Sequence, residues 1–382
     1  MQVTGGLELK YLIFIPVVCF SLTFDFHTAW LAVDFLYLSA WVYYFKRGYD
    51  KMLFVLLLPF LYWLGIGGGD LGMKVLSFWD TFKSLVIFMF IVDAKRIVTG
   101  GQQDARKFAY LLIYLVYVQW GVCAYQYAAG YHFDNVAGML GNGSTHAMGY
   151  LALVALVAVF YMGFPLLHKV LTVLVFFTVN WWGENVGLFV LVVLFLPVVL
   201  LLSNKGKGLI LLIPVVVLFC LFILMLSENE VLAPYYNRVL GIFDIDVNML
   251  DFSLAGRQVA LSYALYLGGF FGDGAGIYSQ IYGRTGIGFW DLENTQLNIS
   301  EVAHLISEVG VLGFLQVLIL YLYVLLKVDA PKYKMLICSV FLIICFFYNR
   351  FLMDERSVFF VALAMCYFLH WSHKETNAVP LE

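Results

Sequence analysis

Asn298-Ile-Ser-Glu301-Val-Ala-His304-Leu-Ile-Ser-Glu308-Val-Gly310-Val-Leu-Gly313 marks where the one long polar stretch of this chain, residues 228–303, runs into an apolar segment reaching residue 326. Residues 304–326 have the length a helix needs to cross a bilayer, about 20 apolar residues. The same rule applied along the chain gives spans at 7–24, 27–45, 52–66, 75–92, 108–128, 146–162, 170–181, 186–202, 209–227, 304–326, 335–348 and 357–371. That is about twelve, with 170–181 the shortest. The runs are continuous rather than alternating, which argues against a transmembrane barrel. Hydrophobic residues are 63% of the 382 and charged residues 12%, more apolar surface than a soluble domain needs. The expected fold class is an all-α polytopic membrane protein. Nine helices fill residues 1–227, a large outer loop with an amphipathic helix fills 228–303, and three helices and a short tail fill 304–382.

Basic residues orient the bundle. Lys46, Arg47 and Lys51 share one short loop; Lys95, Arg96, Arg106 and Lys107 a second; Lys205 and Lys207 a third; Lys327, Lys332 and Lys334 a fourth. With twelve spans all four fall on one side, together with Lys10, Lys169 and Lys374, so both termini are expected in the cytoplasm. The first apolar run has no basic flank and no small-residue cleavage site, and is read as a span. Residues 228–303 then lie outside, carrying nine acidic residues, Arg238, Arg257 and Arg284, and no lysine. All six cysteines (Cys19, Cys123, Cys220, Cys338, Cys345, Cys366) sit in apolar segments without metal-ligand spacing, so they read as small buried hydrophobes.

Glu301, His304 and Glu308 are spaced by three and four, which places them on one helix face. A histidine between carboxylates can accept a proton near neutral pH or hold a sugar hydroxyl. Equally, Asn298 and Glu301 have the spacing of a capping box, and Glu308 can pair with a neighbouring helix. Upstream, Arg257 opens a helical pattern that breaks at Gly268-Gly-Phe-Phe-Gly-Asp-Gly-Ala-Gly276, where glycine permits positive φ and close backbone approach. No strand precedes these glycines, so they do not form a dinucleotide loop. Arginine, unlike lysine, offers a rigid fork that matches phosphate oxygens bidentately. Arg257, Arg284 and Arg238 are therefore candidate phosphate contacts, or else partners of Asp244, Asp246, Asp291 and Glu293. Tyr278 and Tyr282 are candidate sugar-stacking residues, with Tyr235, Tyr236 and Trp290. Among charges in apolar sequence, Asp80 and Lys83 stand one turn apart, Asp34 has no local partner, and Glu184 interrupts Trp181-Trp-Gly-Glu-Asn185.

At these residues the chain resembles the bacterial O-antigen polymerase and O-antigen ligase superfamily, membrane glycosyltransferases of the C-type (GT-C-like) fold. Arg257, ten residues and Gly268 match the polymerases' arginine-x10-glycine pattern. Phe270-Phe-Gly-Asp-Gly-Ala-Gly-Ile-Tyr278 is similar to the family's glycine turn. His304 through Glu308-Val-Gly-Val-Leu-Gly313 is similar to its histidine and Glu-x-Gly-x-x-Gly entry into the next span. Ala137-Gly-Met-Leu-Gly-Asn-Gly-Ser144 resembles the glycine-asparagine segment before a middle span. Two departures stand beside these: Gly183-Glu184-Asn185 replaces a common Ser-Arg pair, and His304 stands only four residues before Glu308. The resemblance implies transfer of a glycan from undecaprenyl diphosphate to the next lipid-linked repeat unit, at the outer face of the bacterial inner membrane. Arg257 and Arg284 would stabilise the leaving diphosphate, and His304, Glu301 or Glu308 would activate the acceptor. It implies membrane lipids, a chain-length regulator and a flippase as partners, with no metal, cofactor or nucleic acid. A ligase acting on lipid A-core is the nearest alternative, and a transporter of polysaccharide or lipid-linked sugar the alternative of another class. Repeat halves and helices broken at the midplane would favour the transporter.

Overall fold

The computed structural model describes residues 102–140, 145–162, 164–183, 185, 188, 268–274, 301–328, 330–348 and 355–370, with single positions between 65 and 88 and between 261 and 266. Among the described residues the fold is all-α. Six helices are described end to end: α1 (Gln102–Ala128), α2 (Thr145–Tyr161), α3 (Leu166–Trp182), α4 (Glu301–Lys327), α5 (Lys332–Tyr348) and α6 (Glu355–His370). Each covers one expected apolar run. The shortest expected run, 170–181, is a helix of 17 residues that begins directly after Pro165, whose fixed φ suits a helix entrance. The expected runs 7–24, 27–45, 209–227 and nearly all of 52–66 and 186–202 lie outside the described residues.

By length and composition α4 is apolar enough to cross a membrane, while 145–160, 166–182 and 357–369 are apolar but shorter. α2 is the central element. It is apolar on every side, as a helix surrounded by others must be, and Gly149, Ala152, Ala155 and Ala158 thin it for close neighbours. It packs most extensively on α6 and α3. α1 and α3 are joined by polar contacts: Trp120 Nε1 donates to Thr178 Oγ1 at 2.8 Å, and the Tyr117 hydroxyl lies 3.1 Å from Thr172 Oγ1. The buried Lys334 ammonium, at the start of α5, donates to Phe368 O at 2.7 Å and so caps the far end of α6.

The connection from α1 to α2 is clamped by glutamines. Gln126 bonds both backbone groups of Gly138, at 2.9 and 2.8 Å, and Gln119 Oε1 accepts from Met139 N at 2.6 Å. The outward surfaces are apolar at helical spacing. Leu111, Tyr114, Val118 and Tyr125 are exposed on α1; Leu166, Val170, Leu174 and Phe177 on α3; Leu312, Leu315, Ile319 and Leu326 on α4. Cys123, Cys338, Cys345 and Cys366 are free and buried, as their apolar context predicts.

Candidate functional site

α4 is not one rod. Gly310 adopts φ 72°, ψ 179° in its middle, so residues 301–309 and 311–327 are separate helical halves. The two halves meet at a kink at Gly310. Sequence periodicity predicts a continuous helix here, because a single positive-φ glycine leaves the apolar spacing on either side intact.

A break inside apolar surroundings strands main-chain carbonyls at the end of the first half and N–H groups at the start of the second. The glycine turn after residue 268 supplies both. Asp273 N and Gly274 N donate to Ser307 O and Glu308 O at 3.0 and 2.8 Å. Val311 N and Leu312 N donate to Gly269 O and Phe270 O, each at 3.2 Å. Two backbones can approach this closely only without side chains. A Cβ on Gly310 would collide with the Phe270 carbonyl, and one on Gly272, at φ 82°, with the Glu308 carbonyl. The two glycine motifs of the sequence are thus the two sides of one junction.

The half-helix held by this junction carries the acid–histidine cluster. His304 Nδ1 lies 2.9 Å from Glu301 Oε1, and His304 Nε2 lies 3.1 Å from Glu308 Oε1. The first contact is a hydrogen bond, and the second is an ion-pair contact. All three side chains are buried, His304 and Glu301 at 0% exposure. Satisfying both ring nitrogens against two carboxylates requires two protons shared among three groups, and a neutral imidazole brings one. Ser307 Oγ donates to the carbonyls of Ala303 and His304, at 2.8 and 2.9 Å, which stiffens this turn.

Tyr321 is buried on the second half of α4. Its ring is set between Phe88 and Phe346, with centroids at 4.6 and 5.5 Å. Its buried hydroxyl has no hydrogen bond among the described residues. Its apolar neighbourhood in sequence marks it as core, and its ring contacts agree. Glu301, His304 and Glu308 are brought together as their spacing predicts. Arg257, Arg284, Arg238, Tyr278, Tyr282, Asn298, Glu184 and Asp34 lie outside the described residues. The start of the expected amphipathic helix is also outside them; 261, 262, 264–266 and 268 are helical, with Ala264 and Gly268 buried. Among the described residues no three or more His, Cys, Asp or Glu side chains are arranged to hold a metal ion.

Compared with known proteins, the chain matches no family model, no curated protein and no solved structure.

Proposed function

We propose that this chain is a membrane-embedded glycosyltransferase that polymerises a glycan on the outer face of the bacterial inner membrane. The donor is a glycan on undecaprenyl diphosphate, and the acceptor is a hydroxyl of the next lipid-linked repeat unit. About twelve spans with both termini cytoplasmic and residues 228–303 outside complete the reading, on the sequence grounds given above. The observation that carries it is the Glu301–His304–Glu308 cluster, buried on a half-helix fastened by the polar stretch that precedes it. Exposed apolar stripes on α1, α3 and α4 support a lipid environment, since soluble monomers rarely show contiguous apolar surface on that scale.

In this reaction the acceptor oxygen forms a bond to the anomeric carbon as that carbon's bond to the diphosphate oxygen breaks. The acceptor proton passes to the cluster at one of its carboxylates, Glu301 or Glu308, each held against a ring nitrogen of His304. Arg257, with Arg284, balances charge on the departing diphosphate. Deleting the gene and separating the cell's glycans on a gel tests the assignment. Single repeat units in place of long chains are expected; accumulated lipid-linked polymer would mean a ligase instead.

The break at Gly310 favours a second reading, a transporter of lipid-linked sugar, because broken helices form many transport sites. In such sites the half-helix ends face the substrate. Here the groups at 307, 308, 311 and 312 are taken up by the glycine turn, so the break serves to hold an element in place. Flux of labelled lipid-linked sugar across vesicles holding the purified chain, in the absence of any chain elongation, would reverse this preference.

A further inference from the structure

Three basic side chains gather where α1 and α3 begin, far from the cluster on α4. Arg106 lies in the first two turns of α1, and His168 and Lys169 lie in the first turn of α3. One ring joins two of them. The Arg106 guanidinium carbon stands 5.7 Å from the centroid of Phe164, and the His168 ring stands 5.9 Å from the same centroid. Lys169 Nζ stands 5.9 Å from the ring of Phe160, at the end of α2. His168 is fixed in place: Tyr110, Tyr114 and Phe164 meet it edge to face, and the Tyr117 hydroxyl lies 3.3 Å from its Nδ1. Arg106 Nε is buried and makes no hydrogen bond among the described residues. No carboxylate stands in the first turn of α3 to offset these charges. The sequence around this end leans the same way, with Lys95, Arg96, Arg106, Lys107 and Lys169 against Asp93 and Asp104.

Cations resting on aromatic rings keep their N–H groups for another partner, and a guanidinium with an unused Nε matches phosphate oxygens. The surface leading away from them narrows the choice of anion. Tyr114 and Val118 on α1, and Val170 and Leu174 on α3, are each about half exposed, on two helices that touch through Tyr117 and Thr172. A free phosphate would leave that apolar surface bare, whereas a phospholipid covers it with acyl chains. In the expected topology α1 and α3 both begin on the cytoplasmic side, where basic pockets between helices take anionic headgroups. We propose that Arg106, His168 and Lys169 form a site for the headgroup of an anionic phospholipid of the cytoplasmic leaflet, whose acyl chains lie along α1 and α3. The site goes beyond glycan transfer and takes from that reading only the membrane setting. It fastens the bundle to lipid on the side of the membrane opposite His304.

The test is native mass spectrometry of the full chain, delipidated in detergent and offered equal amounts of phosphatidylglycerol and phosphatidylethanolamine with the same acyl chains. Preferential retention of one phosphatidylglycerol is expected in the wild type. Arg106→Gln and Lys169→Gln, made separately, are each expected to lower that preference about fivefold, the scale of one charge-assisted contact. Lys332→Gln, which removes an exposed charge at the start of α5, is expected to leave it unchanged. Equal retention of the two lipids by the wild type would overturn the site and leave an unselective lipid belt. The wild-type preference in both Gln variants, or an equal loss in Lys332→Gln, would overturn it in favour of diffuse surface charge. Displacement of the lipid by millimolar inorganic phosphate would make the ligand a free phosphate and overturn the headgroup assignment. Selective retention by a chain that elongates no glycan keeps the site and sinks the transfer, whereas elongation by a chain with no lipid preference does the reverse.

Discussion

His304 touches a different carboxylate through each ring nitrogen, so its two neighbours can be separated by substitution. His304→Ala is expected to abolish long-chain glycan at normal protein level, read on gels of cells carrying the variant. Glu301→Gln keeps the size of the side chain and an oxygen for Nδ1 but removes the charge; a fall in elongation rate of about 100-fold is expected, the scale of general acid–base catalysis. Normal chain lengths in both variants would remove this cluster from the chemistry. Spacing by three and four made the cluster legible in the sequence, because a helix face is a local property. The break at Gly310 was not legible, since one glycine with positive φ leaves the apolar periodicity on either side unchanged.

The junction between the glycine turn and the broken α4 is made of main chain, and its glycines have no substitutes. Gly310→Ala places a side chain at φ 72° and against the Phe270 carbonyl. Positive φ alone costs about 1–3 kcal/mol; with the collision added, a lower thermal unfolding midpoint in detergent and loss of elongation are expected together. The clamp on the loop after α1 offers a contrast. Gln126→Ala leaves both backbone groups of the buried Gly138 without their bonds, a cost of about 1–3 kcal/mol. A lower unfolding midpoint is expected there, with elongation per folded molecule retained. Each glycine motif was visible in the sequence as a turn or a helix entry. Their docking was not, because Gly274 and Glu308 are far apart along the chain and nothing in either motif names the other.

Across the whole molecule, helices were the most legible feature: each of the six described ones covers an apolar run predicted from hydropathy. Where a run was read as one straight crossing, as at 304–326, the interior break stayed hidden, since hydropathy averages over the residue that makes it. Exposed apolar stripes on α1, α3 and α4 predict that the chain stays in the membrane fraction after alkaline carbonate washing, checked by immunoblot. Placement of residues 228–303 outside predicts that a Ser279→Cys variant is labelled in intact spheroplasts by a membrane-impermeant maleimide. Labelling only after the membrane is opened would invert the topology and end the outer-face reading. The described native cysteines are buried and give little background.

The fastening at Gly310 has a consequence for how such a protein can diversify. Its four bonds run from peptide to peptide, so the identities of Phe270, Phe271, Asp273 and Val311 are free to drift while the joint keeps its shape. A lineage can therefore retool the surfaces that meet each new saccharide, retaining little more than the placement of a few glycines as the common signature.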